Sequence, residues 1–145
     1  DRYYQAAKLA KAEVIVRVTG DCPLIDANVI DAVVDKFFSE KYDYASNIHP
    51  PTFPDGLDTE VVSFAALERA WQEAKLPSER EHVMPYIWKH PELFKMSNVS
   101  AKGGSASGGK CPSYAPASPR LRRASKASRG KQKSKIIYTF ILFKT

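Results

Sequence analysis

The stretch VRVTGDCPLID, residues 16–26, decides how the rest of the chain is interpreted. It completes the β-branched run EVIVRVTG, which is typical of a buried strand, and the run stops on Gly20 and Asp21 just before Pro23. In open α/β sheets, ligands bind beyond the carboxyl ends of the strands, and a glycine lets the backbone come close to them. Asp21 is therefore either a Mg²⁺ ligand beside phosphates or a residue that shapes a turn, and spacing alone leaves both open.

Helices and strands alternate on both sides of this stretch. Helical spacing marks DRYYQAAKLAKA at the start, and Asp26 is expected to cap a helix whose apolar residues recur at steps of three and four. Ser63 is expected to cap a second helix, and Ser78 with Glu81 a third, in which Pro85 predicts a kink or a late start. Further strands are predicted in YDYASN (42–47), LDTEVVSF (57–64) and FKMSNVS (94–100). The alternation indicates an α/β fold, Rossmann-like, with a mostly parallel sheet.

Charge divides the chain near residue 100. Residues 1–100 hold all 16 acidic residues and 11 of the 22 basic ones, so their net charge is −5, whereas residues 101–145 carry +11. The second segment is built mainly from Gly, Ser, Ala, Pro, Lys and Arg, and such a composition buries too little apolar surface to offset its ordering entropy. We therefore expect two parts: an ordered domain over 1–100 and a low-complexity basic tail over 101–145, disordered or produced by a shift of the reading frame.

The cysteine content and the apolar runs bear on the compartment. Cys22 and Cys111 form neither a CxxC pair nor a metal-ligand spacing, which suits a reducing compartment. The longest apolar run, IIYTFILF at 136–143, is far shorter than the ~20 residues that span a bilayer. The sequence thus predicts a cytoplasmic protein without a membrane partner.

Five blocks follow one another along the chain: VRVTGDCPLID, DYASN, PDGLDTEV, ALERAWQEA and EREHVMPYI. In this order and spacing they resemble the cytidylyltransferases of the spore-coat polysaccharide type, which are related to the acylneuraminate and KDO cytidylyltransferases. The resemblance covers about residues 1–100 and implies a sugar-nucleotide transferase fold. It also implies transfer of CMP from CTP to an acidic or modified sugar, with release of pyrophosphate, in the biosynthesis of surface polysaccharides. A homodimer is compatible with it.

The resemblance also implies roles for individual residues. Asp21 would bind Mg²⁺ at the phosphates, and Thr19 and Gly20 would line the nucleotide side of the same strand end. Asp55, Asp58 and Glu60 would face the sugar and nucleotide cleft, and Arg80 and His82 would contact phosphate or sugar. No residue is assigned to catalysis itself, because nucleotidyl transfer depends mainly on in-line positioning and charge neutralisation.

Simpler interpretations of the same residues stay open. Asp55 with Gly56 forms a turn signal after Pro54, and Asp58 and Glu60 alternate as the solvent face of a strand would. His82 fits equally well as a surface histidine.

The sequence departs from the family pattern at both ends. No glycine-containing basic loop precedes DRYYQAAK, and no acidic segment follows FKMSNVS. The expectation is therefore an interior part of a cytidylyltransferase that is inactive by itself. Two alternatives are a related transferase that uses UTP or GTP, and a protein whose basic tail binds nucleic acid non-specifically through Lys and Arg.

Overall fold

The computed structural model describes residues 2–20, 22, 24–82 and 84–101, together with the backbone of 136–141. Five helices occur in this part of the chain: α1 (Arg2–Leu9), α2 (Ala27–Ser39), α3 (Phe64–Glu73), α4 (Pro77–His82) and α5 (Met84–Lys89). The strands are β1 (Val14–Thr19), β2 (Tyr44–Ser46), β3 (Thr59–Ser63), β4 (Met96–Asn98) and β5 (Ile136–Ile141). The predicted α/β class is confirmed.

The strands form one sheet in the order β4-β2-β3-β1-β5. β1 pairs in parallel with β5, and β2 pairs in parallel with β4, whereas β3 is antiparallel to both β1 and β2. Four of the described strands therefore share one direction, and the reversed β3 was not foreseen. It is reversed because the chain passes from β2 to β3 through the loop 47–58 without a crossover helix.

Helices cover both faces of this sheet. On one face α2 packs Val33, Val34 and Phe37 against the valines of β1 and β3. On the other face α1, α3 and α5 surround a second apolar cluster that includes Ile15 and Val62. The alternation of side chains along each strand sends one set to each cluster, so the apolar run of β1 is buried on both sides.

Local signals account for several helix ends. The Asp26 carboxylate accepts a hydrogen bond from Asn28 N at 2.7 Å, and the Ser63 hydroxyl accepts one from Ala66 N at 3.1 Å. Both predicted caps are confirmed. The Ser78 cap is wrong: α4 already begins at Pro77, whose lack of an N–H suits a first helical position. Pro85 predicted a kink or a late start in this helix, and the structure instead has two helices here, the second of which, α5, begins at Met84 directly before the proline.

The segment 101–145 contains one described element besides Ala101. Residues 136–141 form β5 alongside β1, so the prediction of a tail without regular structure is wrong for these six residues. Residues 102–135 and 142–145 lie outside the described residues, and the domain boundary near residue 100 stays a prediction.

Candidate functional site

One edge of the sheet gathers the ends of four strands. The register pairs Val18 near the end of β1 with Thr59 at the start of β3, and it pairs Ser46 at the end of β2 with both Glu60 and Asn98. The carboxyl ends of β1, β2 and β4 thus lie beside the amino end of β3. This is where open α/β sheets bind their ligands.

The end of β1 forms a tight turn at this edge. Cys22 N donates to Thr19 O at 3.3 Å, and the Thr19 hydroxyl lies 3.1 Å from Cys22 Sγ. Gly20 is exposed at the tip, so its backbone is accessible to a ligand. Asp21 lies outside the described residues, and its assignment to Mg²⁺ therefore stays a prediction.

Asn47 holds the loop after β2 against the start of β3. Its side-chain amide donates to Leu57 O at 2.8 Å, and its carbonyl accepts from Thr59 N at 2.9 Å. Asn47 is buried, so both of its polar groups are satisfied inside the protein. The amide fixes the position of the loop 47–58 relative to the strand ends.

Asp55 and Asp58 lie on this loop and are both solvent-exposed. Asp55 belongs to a turn in which Gly56 has a φ of 92°, a left-handed value that favours glycine. The turn interpretation of Asp55 is therefore correct, and the contact with sugar or nucleotide predicted for Asp55 and Asp58 stays a prediction. Asp58 directly precedes Thr59 at the start of β3.

Glu60 does not lie on a solvent face. Glu60 is only 2% exposed. One of its carboxylate oxygens pairs with the Arg17 guanidinium, and the other accepts a hydrogen bond from the Tyr44 hydroxyl at 2.6 Å. Arg17 also donates from Nε to the Tyr3 hydroxyl at 3.0 Å. Both oxygens thus have protein partners, and Glu60 holds Arg17 and Tyr44 in position. The substrate contact predicted for Glu60 stays a prediction.

Burial and charge together determine the pKa values of Arg17 and Tyr44, the two residues that Glu60 contacts. Burial alone would lower the pKa of Arg17, but the Glu60 carboxylate and the Tyr3 hydroxyl outweigh it and raise the pKa above its ordinary value. Burial raises the pKa of Tyr44 well above 10.0, and the negative charge of Glu60 raises it further. Arg17 is therefore charged and Tyr44 neutral over the whole physiological range.

A polar row crosses the sheet at this level, formed by Arg17, Glu60, Ser46 and Asn98, which face one another on β1, β3, β2 and β4. The Ser46 hydroxyl donates to Asn98 Oδ1 at 3.3 Å, and that oxygen also accepts from His49 N at 3.1 Å. Sequence reasoning did not single out Arg17, Ser46 or Asn98. Each of these residues is charged or polar and lies in a predicted strand. That pattern could have indicated a buried polar cluster, since buried polar groups require partners.

A pocket of about 270 Å³ adjoins the polar row, between β2, β4 and α5. It is lined by Tyr44, Ser46, His49, Trp88, Met96, Ser97 and Asn98. The ring centroids of His49 and Trp88 are 4.8 Å apart, so these two side chains form one aromatic wall. His49 and Trp88 were not predicted as site residues, because neither belongs to a recognisable spacing pattern.

Arg80 and His82 lie on α4 rather than at the strand ends. Arg80 donates to Ala74 O at 3.2 Å and to Trp71 O at 3.4 Å, where it satisfies carbonyls at the carboxyl end of α3. His82 is exposed at the last position of α4. The structure therefore gives Arg80 a role in helix capping, and the substrate contacts predicted for Arg80 and His82 stay predictions.

Two negative findings apply to the described residues alone. No group of three or more His, Cys, Asp or Glu side chains among them is arranged to hold a metal ion. Within the same ranges, no helix has the length and apolarity needed to cross a membrane.

Comparison with known proteins identifies the family to which this chain belongs. The profile of the cytidylyltransferase family matches residues 1–140. An uncharacterized protein of Methanocaldococcus jannaschii, MJ1063, is 45% identical over 96 residues, which are 66% of this chain and 38% of that protein. The spore coat polysaccharide biosynthesis protein SpsF of Bacillus subtilis is 30% identical over 102 residues, which are 70% of this chain and 41% of that protein.

A solved structure agrees with these relatives. A cytidylyltransferase from Leptospira borgpetersenii superposes with a TM-score of 0.65 at 37% identity, covering 70% of this chain and 43% of that one. The chain thus spans about two fifths of the length of the proteins it matches. Because the family profile matches most of its residues, the chain belongs to the cytidylyltransferase family.

Proposed function

We propose that this chain forms part of the active site of an enzyme that transfers CMP from CTP to an acidic or modified sugar and releases pyrophosphate. The observation that carries the proposal is the convergence of four strand ends at one edge, with the exposed Gly20 at its tip, in a chain of this family. The Bacillus subtilis relative is named as a spore coat polysaccharide biosynthesis protein, which supports a sugar substrate.

The residues at this edge would have different roles in binding the nucleotide and the sugar. Thr19 and Gly20 would contact the nucleotide, because they end β1 where a backbone can approach phosphates. Asp55 and Asp58 would face the sugar and nucleotide from the loop that Asn47 holds in place. Glu60 would act through Arg17, whose position it determines.

A magnesium ion fits the chemistry of this edge. Mg²⁺ is usually held by one or two carboxylates together with substrate phosphates, so a large acidic cluster is not required. Asp21, which follows Gly20 in the chain, would hold the ion, and the ion would neutralise charge on the phosphates and the leaving pyrophosphate.

Nucleotide binding provides the test. Calorimetric titration of the 145-residue chain with CTP, UTP, GTP and ATP, each with MgCl₂, should show a preference for CTP. The Asp21→Asn variant should lose most of the affinity in MgCl₂ but little in EDTA, since only the metal-dependent part is removed. Asp31→Asn, which changes an exposed aspartate on α2, is the matched control and should bind as the unmodified chain does. Equal binding of all four nucleotides, or none of CTP, would contradict the proposal.

A further inference from the structure

The strand β5 lies at an edge of the sheet and carries an inference about a partner. In the order β4-β2-β3-β1-β5 it pairs with β1 on one side, and none of the other described strands pairs with its outer side. We propose that this outer edge accepts an extended segment of another protein, apolar in its middle and acidic at both ends, as an added strand. The interaction goes beyond the proposed nucleotidyl transfer and does not depend on it.

The backbone of β5 supplies the groups that would bind such a segment. Its register with β1 is continuous, from Val14 beside Ile136 to Thr19 beside Ile141, so β5 is extended over six residues. The peptide groups of a strand point alternately to its two sides, and about half of those in β5 therefore point away from β1. Unpaired N–H and C=O groups at a sheet edge are a template for a further strand, the mode of recognition called β-augmentation.

The opposite edge of the sheet is protected against such pairing. The edge strand there, β4, has only three residues. The side chain of Asn98 at its end donates to Pro50 O at 3.0 Å and accepts from His49 N at 3.1 Å, so the loop after β2 is held against this end. Short strands and covering loops are common means by which proteins prevent pairing at an edge. Of the two edges, β5 is therefore the one suited to an added strand.

The sequence of β5 contains none of the usual obstacles to strand addition. Its residues, IIYTFI at 136–141, include no charged residue, no proline and no glycine. Natural edge strands commonly carry lysine or proline, which oppose pairing with another chain. All six residues of β5 are β-branched or aromatic, the types that favour a paired strand. This composition favours a partner whose own middle is apolar.

The charges on either side of β5 in the sequence indicate the ends of the partner. Lys135 directly precedes the strand, Lys144 follows it by three residues, and the whole segment 101–145 contains 11 basic residues and no acidic one. Carboxylates beyond both ends of the partner's apolar middle complement these charges. A second copy of this chain fits less well, because antiparallel pairing of β5 with itself would bring the basic flanks of the two copies together.

Fluorescence anisotropy with a labelled peptide tests the proposal. The probe is a fluorescein-labelled peptide that alternates valine and threonine in its middle and has two glutamates at each end. Titration with the 145-residue chain should give saturable binding of this acidic peptide. A control peptide with lysines in place of the glutamates should bind at least about tenfold more weakly at low salt, and the difference should shrink as salt screens the charges.

Exchange of charge on the chain provides the matched comparison. A chain that carries both Lys135→Glu and Lys144→Glu should reverse the preference, so that the lysine peptide binds better than the acidic one. Lys41→Glu is the control, because the exposed Lys41 lies before β2, which β3 and β1 separate from β5 in the sheet. It should leave the affinities for both peptides unchanged.

Two proline substitutions test whether the backbone of β5 makes the contact. Successive N–H groups of a strand alternate in direction, so one of Tyr138→Pro and Thr139→Pro removes a donor from the outer edge and the other removes one from the side of β1. At least one of the two variants should keep the far-ultraviolet circular dichroism spectrum of the unmodified chain and yet fail to bind the acidic peptide.

Other results would overturn the proposal. Equal binding of the acidic and the lysine peptide would exclude a partner selected by its charge, and binding of neither would exclude the edge of β5 as an acceptor of strands. Loss of the circular dichroism signal in both proline variants, together with unchanged preference in the charge-exchanged chain, would place the peptide elsewhere. A dimer in sedimentation equilibrium that the folded proline variant dissociates would assign the edge to a second copy of the chain.

Discussion

The buried pair of Arg17 and Glu60 should show strong energetic coupling in a double-mutant cycle. The Glu60 side chain is 3% exposed and that of Arg17 is 17% exposed, so removing either charge leaves the other one buried and uncompensated. Breaking one partner of a buried pair costs about 3–5 kcal/mol, whereas replacing both by uncharged residues costs much less than the sum of the two single replacements.

The magnitudes follow from what each substitution leaves behind. Glu60→Gln keeps an oxygen that can accept from Tyr44, and Arg17 retains some water contact, so we expect a loss of about 3 kcal/mol in the free energy of unfolding. Arg17→Met leaves the more deeply buried carboxylate unpaired and should cost about 4 kcal/mol. The double variant should lose about 4 kcal/mol rather than the additive value of about 7, a coupling of about 3 kcal/mol.

Urea unfolding followed by circular dichroism measures all four corners of the cycle. Lys95 and Glu40 provide a matched control pair, because their charged atoms are 3.9 Å apart and their side chains are 55% and 58% exposed. The cycle of Lys95→Met and Glu40→Gln should give a coupling below about 0.5 kcal/mol. Additivity within about 0.5 kcal/mol at Arg17 and Glu60 would refute the conclusion that Glu60 positions Arg17 through a buried ion pair.

Three further outcomes are expected. Asn47→Ala should lower the free energy of unfolding by about 2–3 kcal/mol in urea, because it leaves the N–H of Thr59 without its partner and removes the shorter of the two hydrogen bonds to Leu57 O; a loss below about 1 kcal/mol would show that water replaces the amide. Asp26→Ala should lower it by about 1 kcal/mol, the usual cost of losing an N-cap, whereas Asp26→Ser should retain most of the stability. The Tyr86 hydroxyl holds the pKa of Glu73 below 4.5, so this stabilisation is present above the unfolded pKa and is lost as the pH falls through the folded value. Tyr86→Phe should therefore raise the Glu73 pKa towards 4.5 in a carboxyl NMR titration, and an unchanged value would rule out the hydrogen bond as the main cause.

Several features could be predicted because their cause lies within a few residues. The β-branched run before Gly20 forms β1, and Asp26 and Ser63 cap the helices that they precede. The turn at Asp55 and Gly56 is equally local, since it depends on a glycine that tolerates a positive φ. The order and spacing of the five blocks were sufficient to identify the family, which the match over residues 1–140 confirms.

Other features depend on contacts between residues that are distant in the chain. Alternation along β3 places Glu60 on one face of the sheet, but that face is buried only because α1, α3 and α5 pack against it. Arg17 reaches Glu60, from which it is 43 residues away in the chain, only because β1 pairs with β3. The direction of β3 likewise follows from a connection without a helix. By itself, then, the sequence determined most of the elements, the caps at Asp26 and Ser63, and the family, because those rest on local propensity and on ordered motifs. The tertiary structure alone decided which polar residues are buried together and which line the pocket beside them, because burial and pairing are properties of the assembled sheet.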